Sequence, residues 1–215
     1  MNKVCYVVGA GDCYWDKLPM QEGDYLIAVD GGYDTVVKMG YTPDLVIGDF
    51  DSVEKKPDFM NQIALSPIKD DTDMLAGVRE GKKRGYSVFS IYGGTGGRRI
   101  SHTLANLQLL LTEPKVRCFL FDREEVIFSI RDETVVFHRE CSGYLSVFSA
   151  SEQCTVTEEN LKYQIKEYPL TYHMPLGVSN EFLGEEAKVT AKDGCLFLVM
   201  HQDNLSKFHF ETRKV

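Results

Sequence analysis

The 215-residue chain has no CxxC pair among its six cysteines, a single tryptophan, no apolar run of membrane-spanning length and no excess of basic charge. Each absence narrows the function. A structural zinc site calls for close ligand pairs, and a disulfide scaffold for a shorter chain denser in cysteine. Cys5, Cys13, Cys118, Cys141, Cys154 and Cys195 are therefore read as reduced thiols, mostly filling core. Lysine and arginine number 24 against 32 acids, a formal net charge of -8. Nucleic-acid binding relies on basic side chains to displace counterions, so this balance argues against it. The short clusters Arg98-Arg99 and Lys82-Lys83-Arg84 suit a small anion instead. The apolar stretch Val4 to Val8 is too short for a signal-peptide core, and nothing approaches the roughly 20 apolar residues of a membrane span. No internal repeat or low-complexity segment is present. A cytoplasmic protein without membrane or nucleic-acid partners is expected.

The first half alternates strand-like and helix-like segments. Val4–Val8, Tyr25–Val29, Leu45–Ile47, Val88–Tyr92 and Val116–Phe121 read as buried strands. Between them, Tyr33 to Met39, the segment opened by Asp71-Thr72-Asp73, and His102 to Leu111 read as helices. Leu104, Leu107, Leu110 and Leu111 are expected on the buried side of the last one. Such alternation predicts a parallel sheet flanked by helices, with ligands beyond the carboxyl ends of the strands. After about residue 125 the segments become short, alternating and rich in β-branched and aromatic residues: Glu125 to Phe128, Thr134 to Arg139, Tyr144 to Ser149, Thr155 to Thr157, Leu161 to Ile165, Ala187 to Ala191 and Cys195 to His201. The fold class is thus a parallel-sheet α/β domain, residues 1–127, followed by a smaller all-β, sandwich-like domain, residues 128–215.

The polar residues gather at the predicted strand ends. Asp30 precedes Gly31-Gly32, Asp49 and Asp51 lie in Gly-Asp-Phe-Asp-Ser, and Asp70-Asp71-Thr72-Asp73 opens a helix. Magnesium prefers oxygen ligands and is held by one or two carboxylates plus substrate phosphates, as phosphoryl chemistry requires. Taken singly, each acid equally fits a turn or a helix cap, and Asp-x-Asp pairs also serve glycosyltransferases and phosphatases. Gly93-Gly94-Thr95-Gly96-Gly97-Arg98-Arg99 lets backbone N–H groups approach phosphates and adds two guanidinium groups, but it is neither a P-loop nor a GxGxxG fingerprint.

Together these strings resemble the bacterial thiamine pyrophosphokinase family. Asp30-Gly31-Gly32 is similar to its DGG motif, and Pro43 to Ser52 to its PDxxxGDFDS signature. Asp71-Thr72-Asp73 resembles the family's DxTD element. The glycine-rich segment leading into His102-Thr103-Leu104-Ala105-Asn106 and the late Gly177-Val178-Ser179-Asn180-Glu181-Phe182 (GxSNEF) complete a set that runs in family order.

The resemblance implies transfer of a diphosphoryl group from ATP to the hydroxyl of thiamine, with Mg2+ as cofactor and AMP released. It also implies a homodimer whose active sites lie between subunits. Asp49, Asp51, Asp71 and Asp73 are implied to organise metal and phosphates. Asp30, Gly31, Gly32, Thr95, Gly96, Arg98, Arg99, His102 and Asn106 would lie near ATP, and Ser179 and Asn180 near thiamine. Tyr172 or Phe182 is a guess for an aromatic partner of thiamine, whereas Trp15 lies far from Ser179 in sequence. One departure stands out: Ser101-His102 replaces the family's usual Asp-His, and serine supplies no carboxylate. It keeps open a weakened enzyme or a thiamine or nucleotide sensor without turnover. A different metal-dependent transferase is the other alternative.

Overall fold

Asp24 and Asp44 show how the first strands are started. Asp24 Oδ1 accepts the Val4 N–H (2.8 Å) and Asp44 Oδ2 accepts the Leu26 N–H (2.8 Å), which satisfies backbone donors at the amino ends of two buried strands. The computed structural model describes residues 3–48, 61–64, 71–97, 99–113 and 115–212. The chain divides into two compact units, Met1–Arg123 and Glu124–Val215.

In the first unit the strands are β1 (Val4–Val8), β2 (Tyr25–Val29), β3 (Leu45–Gly48), β4 (Gln62–Ala64), β5 (Val88–Tyr92) and β6 (Arg117–Asp122). They form a parallel sheet in the order β6-β5-β1-β2-β3-β4. The near-continuous apolar runs of β1, β2, β3 and β5 follow from burial on both faces. The helices are α1 (Gly32–Lys38), α2 (Asp73–Lys83) and α3 (Ile100–Thr112). Thr72 is the N-cap of α2, its hydroxyl accepting the Leu75 N–H. Helix α3 departs from expectation. Its buried residues are Asn106, Leu109 and Leu110, while Leu104 is 58% exposed. Leu110 is buried as expected and Leu107 and Leu111 are half-buried, but the buried side is turned toward Asn106 and Leu109, which lie outside the expected leucine stripe.

The order matters for the site. The chain moves outward from β1 through β2, β3 and β4, then returns to the other side of β1 with β5 and β6. The switch point therefore lies between the carboxyl ends of β1 and β5, where α/β sheets open a crevice for ligands. There Tyr92 stacks on Phe121 with ring centroids 4.5 Å apart and receives the edge of Trp15 at 4.8 Å, so the single tryptophan, half-buried, packs onto the aromatic core of this unit.

The second unit is all-β and antiparallel. Its strands are β7 (Glu125–Arg131), β8 (Glu133–Phe137), β9 (Tyr144–Ser149), β10 (Gln153–Glu159), β11 (Ile165–Thr171), β12 (Gly177–Glu181), β13 (Ala187–Lys192), β14 (Cys195–His201) and β15 (Phe208–Thr212). One layer runs β12-β9-β14-β7 and the other β11-β10-β13-β8-β15. Their inner faces meet through Phe128, Phe137, Phe182 and Phe208, with the Phe128 and Phe208 rings stacked at 5.2 Å. Alternation of buried and half-buried residues along β7, β9, β10 and β13 is the period of strands that bury one face. The stretch Leu161 to Ile165, expected as a strand, contributes only an isolated bridge between Leu161 and Phe182, and the strand begins at Ile165.

Candidate active site

At the end of β2 the backbone turns sharply. Asp30 has φ 47° and its N–H donates to Ile47 O (2.9 Å), while Tyr33 N–H returns to Asp30 O (3.1 Å), starting α1 directly after the Asp-Gly-Gly string. The Asp30 carboxylate lies over Gly48, the last residue of β3, where a Cβ would collide with Oδ1. This brings Asp30 to the point from which the Asp49-Phe50-Asp51 string departs. Asp49, Asp51 and Arg98 themselves lie outside the described residues.

The two glycine-bearing loops beside the switch point are joined backbone to backbone. Gly9 N–H donates to Tyr92 O (2.8 Å), Gly11 N–H to Gly93 O (2.8 Å) and Asp12 N–H to Thr95 O (3.1 Å). Gly93, at φ 60°, sits so close to Gly9 O that no Cβ fits. These glycines let two loops approach each other. Thr95 is buried and donates its hydroxyl to Asp122 Oδ1 (2.9 Å), at the end of β6, and buried Asn106 donates to Gly94 O (2.7 Å). Both brace the loop. The exposed part is Gly96 and Gly97, followed by Arg99 and the first turn of α3. Arg99 provides no side-chain cap and no acid stands in that first turn; His102 N–H turns back to Arg99 O (3.0 Å), and the N–H groups before it and the helix dipole are left to favour an anion. Ser101 and His102 are exposed in the same turn.

Asp71 and Asp73 flank the Thr72 cap at the start of α2. Asp71 pairs with Arg79, which also reaches Glu113 Oε1 (3.3 Å), and Lys82 completes the set on Glu113 Oε2 (2.5 Å). These cations hold the Glu113 carboxyl below its ordinary range, with the Lys82 hydrogen bond the largest cause. Among the described residues no group of three or more acids, histidines or cysteines stands close enough to hold an ion. The donor chemistry still fits magnesium, because aspartate oxygens at strand and helix ends are the hard ligands it takes.

In the second unit, Ser179 and Asn180 are placed very differently. Between Gly177 and Asn180 on β12 and Val147 and Leu145 on β9 the register shifts, leaving one extra residue on β12. Ser179 lies in this bulge, exposed, with φ 58°, and its N–H donates to Ser146 Oγ (3.0 Å). Asn180 points inward and is 4% exposed. Its Nδ2 donates to Glu158 Oε2 (2.6 Å) and Tyr163 O (2.7 Å), and its Oδ1 accepts from Tyr163 N (2.9 Å) and Glu181 N (2.9 Å). Every hydrogen-bonding position of the amide is used within the protein. Tyr163 is exposed on a backbone clasped from both sides. Phe182, by contrast, packs on Phe137 at 5.2 Å, and Tyr172 is exposed beside His173.

Sequence reasoning missed Asp12 and Asp122, which border the glycine-rich loop. Asp12 accepts from Tyr14 Oη (3.2 Å) and lies against Gly96. The available signal was an Asp in the loop after β1 for Asp12 and an Asp closing β6 for Asp122. It also missed Ser146, Glu158 and Tyr163, which no local pattern marks.

Comparison with known proteins bears on all of this. Residues 17–120 match the family model described as the thiamin pyrophosphokinase catalytic domain, and residues 132–196 match the vitamin B1 binding domain of the same family. A curated thiamine pyrophosphokinase of Bacillus subtilis is 27% identical over 187 residues, covering 82% of this chain and 87% of its own. The crystal structure of thiamine pyrophosphokinase from Bacillus subtilis is similar with TM-score 0.83 at 25% identity, covering 93% of this chain and 99% of that one. The Candida albicans thiamin pyrophosphokinase shares the fold, with TM-score 0.75 at 15% identity over 93% of this chain and 89% of that one.

Proposed function

The chain belongs to the thiamine pyrophosphokinase family, enzymes that transfer diphosphate from ATP to thiamine, and we propose how its own residues divide that work. The observation that carries the proposal is the gathering of Asp30, the exposed Gly96-Gly97 loop and the uncapped start of α3 at the carboxyl ends of one parallel sheet.

ATP binds with its phosphates against Gly96, Gly97 and the first turn of α3, where Arg99 and, outside the described residues, Arg98 add positive charge. His102 borders the same turn. Thr95 and Asn106 act one step back, keeping the loop in shape. Asp49, Asp51, Asp71 and Asp73 are the residues that would hold Mg2+, with Asp30, Gly31 and Gly32 beside them. The ion supplies charge that offsets the phosphate oxygens. The thiamine hydroxyl oxygen attacks the β-phosphorus in line, the bond from that phosphorus to the α-bridging oxygen breaks, and AMP leaves with the electron pair. A carboxylate of the cluster takes the hydroxyl proton.

Ser179 faces thiamine from the second unit, and the clasped Tyr163 offers a flat aromatic surface to a cationic ring. Asn180 supports both from within. A homodimer is part of the proposal, supported by exposed Tyr172, Met174, Leu176 and Val178 in the second unit, where a lone chain would leave apolar surface in water. A cytoplasmic setting agrees with six cysteines that are all free. No helix among the described residues is long and apolar enough to cross a membrane.

An assay of AMP release with purified protein, ATP, Mg2+ and thiamine, omitting each in turn, tests the proposal. AMP and thiamine diphosphate formed only from the complete mixture is the expected result. Saturable thiamine binding without AMP would replace it with a sensor.

A further inference from the structure

Glu158 is a carboxyl in the wrong place for stability alone. It stands on β10 at 3% exposure, facing inward between the two layers of the second unit. Oε2 accepts from Asn180 Nδ2 at 2.6 Å, and Oε1 has no hydrogen-bond partner. Burial raises its pKa, against the lowering effect of the Asn180 bond. A half-satisfied buried carboxyl is unfavourable, and a pair of apolar side chains in place of Glu158 and Asn180 would fill the layer without that penalty.

What surrounds it is shaped for another purpose. The register shifts on both sides of the Glu158–Asn180 bond. On β11 the extra residue is Glu167, at φ 47°, its N–H donating to Thr157 Oγ1 (3.0 Å). On β12 the bulge holds Ser179 at φ 58°. A serine in the left-handed region persists only where neighbouring contacts over-determine it, and bulges re-aim side chains next to sites. The contacts here are Ser146 Oγ on the Ser179 N–H and the anchored Asn180 immediately after it. Asn180 in turn sets the Tyr163 backbone through two bonds.

We infer that Glu158 is a positioning residue for the thiamine side of the reaction: its buried carboxyl holds Asn180, and Asn180 holds the bulge that turns Ser179 outward together with Tyr163. This rests on the assignment of Ser179 to thiamine proposed above. Glu158 itself touches no substrate.

The test is steady-state kinetics on the full chain with wild type, Glu158→Gln and Glu158→Met. Glutamine keeps an acceptor for Asn180, whereas methionine keeps the volume without one. Expected are a thiamine KM within about twofold of wild type for Glu158→Gln and raised about tenfold for Glu158→Met, the scale of one lost buried hydrogen bond. The kcat and the KM for ATP stay within about twofold in both, and the methionine variant melts somewhat lower than wild type because one buried Asn180 donor loses its acceptor. A wild-type thiamine KM in Glu158→Met overturns the inference. So does a uniform loss in kcat and both KM values with a lower melting temperature, since that is the mark of a merely structural residue. If methionine does not fold, Glu158→Leu is read in the same way. Wild type that turns over ATP but ignores thiamine overturns the Ser179 assignment and this inference with it, and that result is visible before any variant is made.

Discussion

The two units handle their acids in opposite ways. In the first, carboxylates stand at strand and helix ends in loops or on the surface, and cations hold Glu80 and Glu113 below their ordinary range. In the second, Glu158 is sealed between layers and its pKa is raised, with burial as the main cause. The contrast follows from architecture. A parallel sheet is covered on both faces, so its chemistry is placed beyond the strand ends, where water and phosphates reach it. An antiparallel sandwich offers edge strands instead, and shaping an edge takes a bulge and something to hold it.

The largest effect that would sharpen the contrast is on catalysis. Asp73→Asn is expected to lower kcat by about a hundredfold or more, with thiamine affinity and melting temperature little changed, as for loss of a group that organises transferring phosphates. Magnesium-dependent turnover and a thiamine titration check it, and equal losses in both would erase the division of labour. Next in size is Phe128→Ala, which empties the aromatic core between the layers and should cost about 3–5 kcal/mol in urea unfolding. Ser179→Ala comes third, with thiamine KM raised about tenfold and the KM for ATP unaffected if the serine makes one contact to bound thiamine.

The pH dependence distinguishes the units by sign. Glu158 binds its proton more tightly folded than unfolded, so its contribution favours the folded state fully below the unfolded pKa. That contribution is lost as pH rises through the raised folded value. Glu80 and Glu113 do the reverse, contributing above the unfolded pKa and losing it as pH falls through their lowered values. Their cationic partners are 35–72% exposed, so screening keeps each of these pairs to about half a kcal/mol. Urea melts of wild type and Glu158→Gln from the carboxylate range upward should diverge with pH, the wild type declining relative to the variant. Parallel curves would remove Glu158 from the comparison. Smallest of all, Ser101→Asp puts an acid into the first turn of α3, where the proposed phosphate site lies, and should raise the KM for ATP by about threefold with kcat little changed. A tenfold gain in kcat would mean that serine had weakened the centre.

The strands read from sequence and those that escaped it divide along one line. Val4–Val8, Tyr25–Val29, Val88–Tyr92 and Tyr144–Ser149 were legible to the residue because central strands are buried and declare it in apolar runs or alternation. Gln62–Ala64, Ile165–Thr171, Gly177–Glu181 and Phe208–Thr212 were not, and each lies at an edge of its layer. An edge strand has one neighbour and much exposed surface, so its sequence is free of the period that betrays a strand. Pro169 is tolerated in β11 for that reason.

The sequence by itself determined the family, the order of parallel α/β unit before β unit, and the strings from Asp30-Gly31-Gly32 to Ser179-Asn180 that carry the site. These are local: a motif is a run of neighbours, and burial writes a period into consecutive residues. Only the tertiary structure decided that Gly9 and Gly93 serve each other, that Asn106 and Thr95 brace a loop, and that Asn180 faces Glu158 while Ser179 faces out. Those outcomes depend on partners far away in the chain. Hydrogen bonds between such residues leave no pattern until folding brings donor and acceptor within about 3 Å.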